Sequence, residues 1–293
     1  MKQEHLQRLE RVVSRAGDLP AIPEVVADVL RLTSDPTTAM AEIGETVQRD
    51  PALTAKILRV SNSPYYGMKQ YVGTLKLALV ILGVREVRNI VLGISVFSTL
   101  QNDRMEHLWV QSLWNHSVTV AALARKLGSH LKLPMHGEDF IGGLLHDIGK
   151  MLLWRQLGKS YTEVYRQSGG ASEKLCAAEE AKFGFNHADA AAALARYWNL
   201  PETLADALWY HHTTEEALLA KAKDPRLAAI VRIANLAAHD RFSEDISGGH
   251  QSCVDEPTWR LLDKTTNPIE SDDRFLVLSG FKAELSATPA PAF

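Results

Sequence analysis

Apolar positions recur along this chain with a helical period, and alternation of the kind that marks a strand is hard to find. Leu6, Leu9, Val12 and Val13 mark a first short helix. Val26, Val29, Leu30 and Leu32 mark a second, and Leu53, Ile57, Leu58 and Val60 a third. Breakers separate these runs. Each proline of Leu19-Pro20-Ala21-Ile22-Pro23 restricts itself and its predecessor, so this segment is extended, and Pro23 suits the first turn of the helix that follows. Asp50-Pro51 repeats that logic with the aspartate as cap. Asn62-Ser63-Pro64-Tyr65-Tyr66-Gly67 reads as a turn. Thr74 caps a helix that Gly83 ends, and another runs from about Val84 to Leu100.

Further along, the spacing predicts a longer helix around Trp109 to Leu127. An apolar helical stretch starting near Glu138 contains His146 and Asp147 and ends at a glycine. Ser172 caps a helix stopped by Gly184, and Asn186 caps one ending at Asn199-Leu200-Pro201. Pro201 starts a helix leading to His211-His212, and a last strong one lies around Arg226 to His239. From Phe242 to Asn267 the chain is rich in Gly, Ser, Asp and Pro and is expected to be loop. A short helix near Asp272 to Leu285 and a frayed tail complete it. The fold class is all-α, with no internal repeat. A soft boundary near Gln101-Asn102-Asp103 divides an N-terminal helical part (1–101) from a His-bearing bundle (102–241), followed by a loop-rich extension with one short helix (242–293).

Composition narrows the class. Of the 293 residues 46% are hydrophobic, enough for a sizeable core. The formal net charge is -3, and the first hundred residues hold twelve Lys/Arg against ten Asp/Glu. A dedicated nucleic-acid binder carries a basic excess, so nucleic acid is not an expected partner. Asp50 to Tyr66 can be read as a helix-turn-helix, but Lys56, Arg59 and Lys69 are sparse for that role. Cys176 and Cys253 lie far apart and read as free thiols in a reducing compartment. The polar N-terminus is not a signal peptide, and no apolar run reaches membrane-spanning length; a cytoplasmic protein is expected.

The candidate chemistry centres on Gly142-Gly143-Leu144-Leu145-His146-Asp147-Ile148-Gly149-Lys150. A carboxylate and an imidazole placed together in an apolar run are costly unless each finds a partner. A bound cation or a closed hydrogen-bond network satisfies them. His116, His187, His211 and His212 sit in suggestive settings elsewhere. If their helices converge, imidazole and carboxylate donors would suit iron, manganese, nickel or zinc. Lys150 could meet a phosphate as a point charge, though an exposed helix-terminal lysine explains it equally well. His5, His107, His130, His136, His239 and His250 lie in polar or terminal surroundings and receive no role.

Gly143 to Lys150 resembles the signature of the HD superfamily of metal-dependent phosphohydrolases. The surroundings are similar to an HDOD domain: Leu19 to Pro23, Asp50 to Leu58, Asn62-Ser63 with Tyr66-Gly67, Ala78 to Gly83, Leu113 to Ser117, His187-Ala188, Trp198 to Pro201 and Tyr210-His211-His212, in order over about residues 15 to 240. The resemblance implies an HD-related multi-helix bundle preceded by a helical N-terminal subdomain. It implies a bacterial regulatory module, of a kind mostly not established as enzymes. His116 then matches the first HD histidine, His146 and Asp147 the name-giving pair, and His187 with His211 or His212 the additional histidines of HD-GYP phosphodiesterases. The closing aspartate of the pattern falls at Asn235, a neutral and weaker donor, and no Gly-Tyr-Pro motif follows the last histidines. Two functions are expected in order: a signalling module acting through a protein partner, with any metal as a structural cross-link; or a phosphohydrolase in which Asp147 orients and a histidine or Lys150 stabilises departing charge.

Overall fold

In the computed structural model the described residues are 23–34, 37–62, 71–101, 105–135, 137–169, 172–214, 216–239, 256–263, 267–271 and 273–286. The expected helix at Leu6–Val13, most of the extended Leu19–Pro23 segment, most of the Asn62–Gly67 turn, and His5, His136, His250 and Cys253 lie outside them.

All regular structure among the described residues is helical. The N-terminal helices are α1 (Glu24–Ser34), α2 (Met40–Gln48), α3 (Pro51–Ser61), α4 (Leu75–Leu82) and α5 (Val84–Leu100). Then follow α6 (His107–His130), α7 (Glu138–Leu145), α8 (Ile148–Leu157), α9 (Lys159–Gln167) and α10 (Ser172–Phe183). The chain continues with α11 (His187–Tyr197), α12 (Glu202–Tyr210), α13 (Glu216–Leu219), α14 (Pro225–Ala238), α15 (Glu256–Leu262) and α16 (Arg274–Ser286).

The starts follow cap chemistry. Asp50 accepts the Leu53 N–H at 2.9 Å, with Pro51 in the first turn of α3. Thr74 accepts the Leu77 N–H at 3.2 Å. Asn186 and Asp189 form a reciprocal capping box that fixes the start of α11 and therefore His187. Asp224 and Pro225 repeat the Asp-Pro start at α14. Gly83 takes φ +83, the left-handed region that ends α4 and begins α5 at once.

Helix α6 stands at the middle of the molecule. One side carries Val110, Leu113, Trp114, Val118 and Ala121 into a core shared with α1, α3, α5, α7, α8, α11 and α12. The other carries Val120, Leu123, Ala124 and Leu127 into a second core with α14, α15 and α16. The first core runs without interruption across residue 101. Phe97 of α5 meets Trp114 of α6 edge to face, with ring centroids 5.0 Å apart. Among the described residues no helix is long and apolar enough to cross a membrane.

Two sequence expectations need correction. The His146-Asp147 stretch is not one helix ending at a glycine. The chain turns at these two residues, with Asp147 at φ -96, ψ 6, and α8 then runs through Gly149 to Leu157. The glycines here serve close helix approach instead of termination. A Cβ on Gly143 would lie 2.6 Å from Ala121 Cα of α6, and one on Gly149 would lie 1.9 Å from the carbonyl oxygen of His187. The second correction concerns the expected loop at 242–267, which contains α15. Seven residues are too few for periodicity to register, yet Trp259 and Leu262 are fully buried against α14 and anchor the helix. Of the apolar C-terminal residues, Phe275 packs into the second core and Leu276 is exposed.

Gly149→Ala is expected to lower stability by at least about 2 kcal/mol, because the added methyl meets backbone and no flexible side chain can yield. Urea unfolding of the variant beside the parent measures it; a loss below about 0.5 kcal/mol would mean that α8 and α11 do not pack this closely.

Candidate metal centre

The turn between α7 and α8 delivers Asp147 to the point where α6, α11, α12 and α14 converge. Its carboxylate is 1% exposed. Oδ1 lies 3.3 Å from His187 Nε2 and 3.6 Å from His211 Nε2. Oδ2 lies 3.3 Å from His146 Nε2, 3.8 Å from His116 Nε2 and 2.5 Å from the Lys150 ammonium. His212 Nε2 is 2.9 Å from His187 Nε2, and Asn235 Oδ1 is 3.1 Å from His116 Nε2. All seven residues singled out as candidate ligands therefore come together, from five separate helices or turns.

The outer ring nitrogens show which way the imidazoles face. His146 Nδ1 donates to the Gly143 carbonyl at 2.8 Å, and His211 Nδ1 donates to the Leu208 carbonyl at 2.6 Å. A neutral imidazole that donates through Nδ1 has a lone pair on Nε2. His211, kept neutral by burial, therefore points such a lone pair inward at a carboxylate, acceptor against acceptor. His146 Nε2, His211 Nε2 and Asp147 Oδ1 are buried and have no hydrogen-bond partner. Three unpartnered nitrogen and oxygen atoms around one point are an arrangement a cation can satisfy. Asp147, His187, His211 and His212 each offer a donor atom, all within 4.8 Å of one another, and His116, His146 and Asp147 do the same on the other side.

The electrostatics agree. Burial holds the His116, His211 and His212 imidazoles below their usual range, His211 down to about 3, so they stay neutral. Burial opposes ionisation of Asp147, but His146 and Lys150 outweigh it and hold the carboxyl well below its usual range. Burial likewise disfavours the Lys150 ammonium, and Asp147 more than offsets that.

The HDOD domain model matches residues 19–214. The chain belongs to the HDOD family. An HDOD domain protein of unknown function from Geobacter sulfurreducens shares the fold with TM-score 0.77 at 23% identity, over 97% of this chain and 98% of that one. A Shewanella amazonensis SB2B protein provisionally named a phosphohydrolase does so with TM-score 0.70 at 20% identity, over 97% and 98%. An uncharacterized protein of Treponema pallidum (strain Nichols) is 24% identical over 211 residues, 70% of this chain and 40% of the relative. The chain thus spans about two fifths of the length of that curated relative.

Within this HDOD fold three participants escaped sequence reasoning. Glu179 of α10 is fully buried and accepts from the His187 backbone N–H at 2.8 Å, from His187 Nδ1 at 2.7 Å and from Tyr161 Oη at 2.8 Å. Burial lowers the tendency of His187 to charge, but Glu179 outweighs it and raises the imidazole well above its usual range. Cys176 Sγ lies 3.9 Å from the same Nδ1. His239, assigned no role, lies against the His116 ring, with centroids 5.1 Å apart and the planes tilted by 35°. Its signal was its spacing four residues after Asn235. Lys150 is neither an exposed helix-terminal lysine nor turned out toward a phosphate: it is 6% exposed and bound to Asp147.

Asp147→Ala is expected to cost about 3–5 kcal/mol, since it strands a buried ammonium beside inward-facing imidazoles. Equilibrium unfolding in urea reads this; a loss under about 1 kcal/mol would show the carboxylate is not compensating buried charge.

Proposed function

We propose that this chain is an HDOD signalling module that acts by contacting a partner protein, with a divalent metal at Asp147 that cross-links its helices and does no hydrolysis. The observation that carries this reading is closure. His146, Asp147, His187 and His211 are each 1% exposed or less, and of the ligand set only the rim residues His116 and His212 reach solvent. Structural metal sites are closed by protein ligands, whereas catalytic ones keep a position open to substrate. Asn235 adds to it: a neutral amide stands where the HD pattern has a second carboxylate.

The residues fit an ion because their unsatisfied atoms are nitrogen and carboxylate donors. Asp147, His187, His211 and His212 would hold it. When bound, the ion would supply a fixed positive charge joining the α7–α8 turn, α11 and the end of α12. Contact with a partner finds support on α4, where Leu77, Val80 and Ile81 stand exposed at helical spacing with Tyr71 just ahead.

The test combines elemental mass spectrometry on the untagged protein with hydrolysis of bis(p-nitrophenyl) phosphate after loading with iron, manganese, nickel or zinc. The expected result is metal that Asp147→Ala loses, with no hydrolysis above that variant. Turnover that disappears in Asp147→Ala would make the chain a phosphohydrolase, and absence of metal under every loading condition would leave the cluster a metal-free polar network.

A further inference from the structure

The two faces of Asp147 are not alike. On the Oδ1 face Oδ1 and His211 Nε2 lack hydrogen-bond partners, His187 Nε2 meets only another imidazole, His212 Nε2 at 2.9 Å, and Oδ1 lies 3.3 and 3.6 Å from the His187 and His211 nitrogens. Donors bound at about 2.1 Å in a tetrahedral set lie about 3.4 Å apart, so these separations suit one ion. On the Oδ2 face a cation is already present, the Lys150 ammonium at 2.5 Å. Of the two histidines there, His146 Nε2 has no hydrogen-bond partner and His116 is engaged. Its Nε2 meets Asn235 Oδ1 at 3.1 Å, and a carbonyl oxygen can only accept, so that nitrogen carries the proton and has no lone pair for a metal. Residue 235, beside His116, is an amide and offers Lys150 no carboxylate there.

We propose that this centre takes one divalent cation, on the Oδ1 face of Asp147, and that the Lys150 ammonium together with the His116–Asn235 pair fills the place of a second. The inference rests on the metal-binding reading above. It makes Lys150 a built-in counter-ion that decides stoichiometry. It also explains why a lysine is buried at a site of imidazoles: a divalent ion near Oδ2 would have to displace an ammonium that is itself sealed from water.

The experiment counts ions. The full chain, as isolated and after incubation with excess Mn²⁺ or Zn²⁺ followed by gel filtration, is analysed by elemental mass spectrometry beside Lys150→Gln and Lys150→Arg, with circular dichroism as the fold check. The parent and Lys150→Arg are expected to retain one ion per chain, and Lys150→Gln two, because removal of the ammonium frees Oδ2 and His146. Two ions in the parent, or one in a folded Lys150→Gln, would overturn the inference while leaving the metal reading intact. None in any of the three would overturn both. Electron paramagnetic resonance of the Mn²⁺-loaded parent needs no variant: an uncoupled mononuclear spectrum is expected, and an exchange-coupled one rejects the proposal even if Lys150→Gln does not fold.

Discussion

A single buried carboxylate organises this molecule. Asp147 is sealed from water at the junction of α6, α8, α11 and α12, and an isolated ionised carboxyl there would cost far more than a folded domain's whole stability margin. Every nearby element answers that constraint. Lys150, one turn along α8, brings a charge; His146 precedes it in the turn; His187 and His211 reach it from the starts and ends of neighbouring helices. The helices can reach it only because glycines let their backbones approach. Gly143 admits α6, and Gly149 admits the first turn of α11. The apolar packing of the first core and the polar chemistry of the centre are therefore one problem. The same residues that remove side chains from the helix crossings set the positions of the imidazoles.

A layer behind the ligands holds them in orientation. Backbone carbonyls of Gly143 and Leu208 fix two rings, and the Tyr161–Glu179 pair fixes a third. Partners of this kind set ring tautomer and raise the basicity of a metal-binding imidazole. They also keep inward lone pairs from turning away to find other donors. That rigidity leaves three buried polar atoms of the cluster, His146 Nε2, His211 Nε2 and Asp147 Oδ1, without hydrogen-bond partners.

What was legible in the chain follows from what sequence patterns measure. Side chains that act on their own backbone could be read directly, as with Asp50, Thr74 and Asn186 at helix starts. His146 and Asp147 could be read because a polar pair contradicts its apolar surroundings. Glu179 could not. It sits among Ala, Glu and Lys in α10, a composition that looks like a solvated face, and only the fold reveals that α10 turns it inward to Tyr161 and His187. Lys150 misled for the same reason: lysine at a helix start is ordinarily solvated, and here its burial is compensated by a carboxylate three residues earlier. The turn at His146-Asp147 was hidden because apolar periodicity continues through it on both sides. Helix α15 was hidden by length.

Asn235 shows how one neutral residue can settle the character of a polar centre. With a carboxylate at that position the cluster would hold a second negative charge close to His116, and two facing carboxylates favour two cations or a shared proton. With the amide, Asp147 faces one ammonium across Oδ2, and the remaining donors on the Oδ1 side are neutral imidazoles and Glu179-bound His187. Such a set attracts a divalent ion through directed lone pairs more than through net charge. A centre so arranged is suited to locking the relative positions of helices.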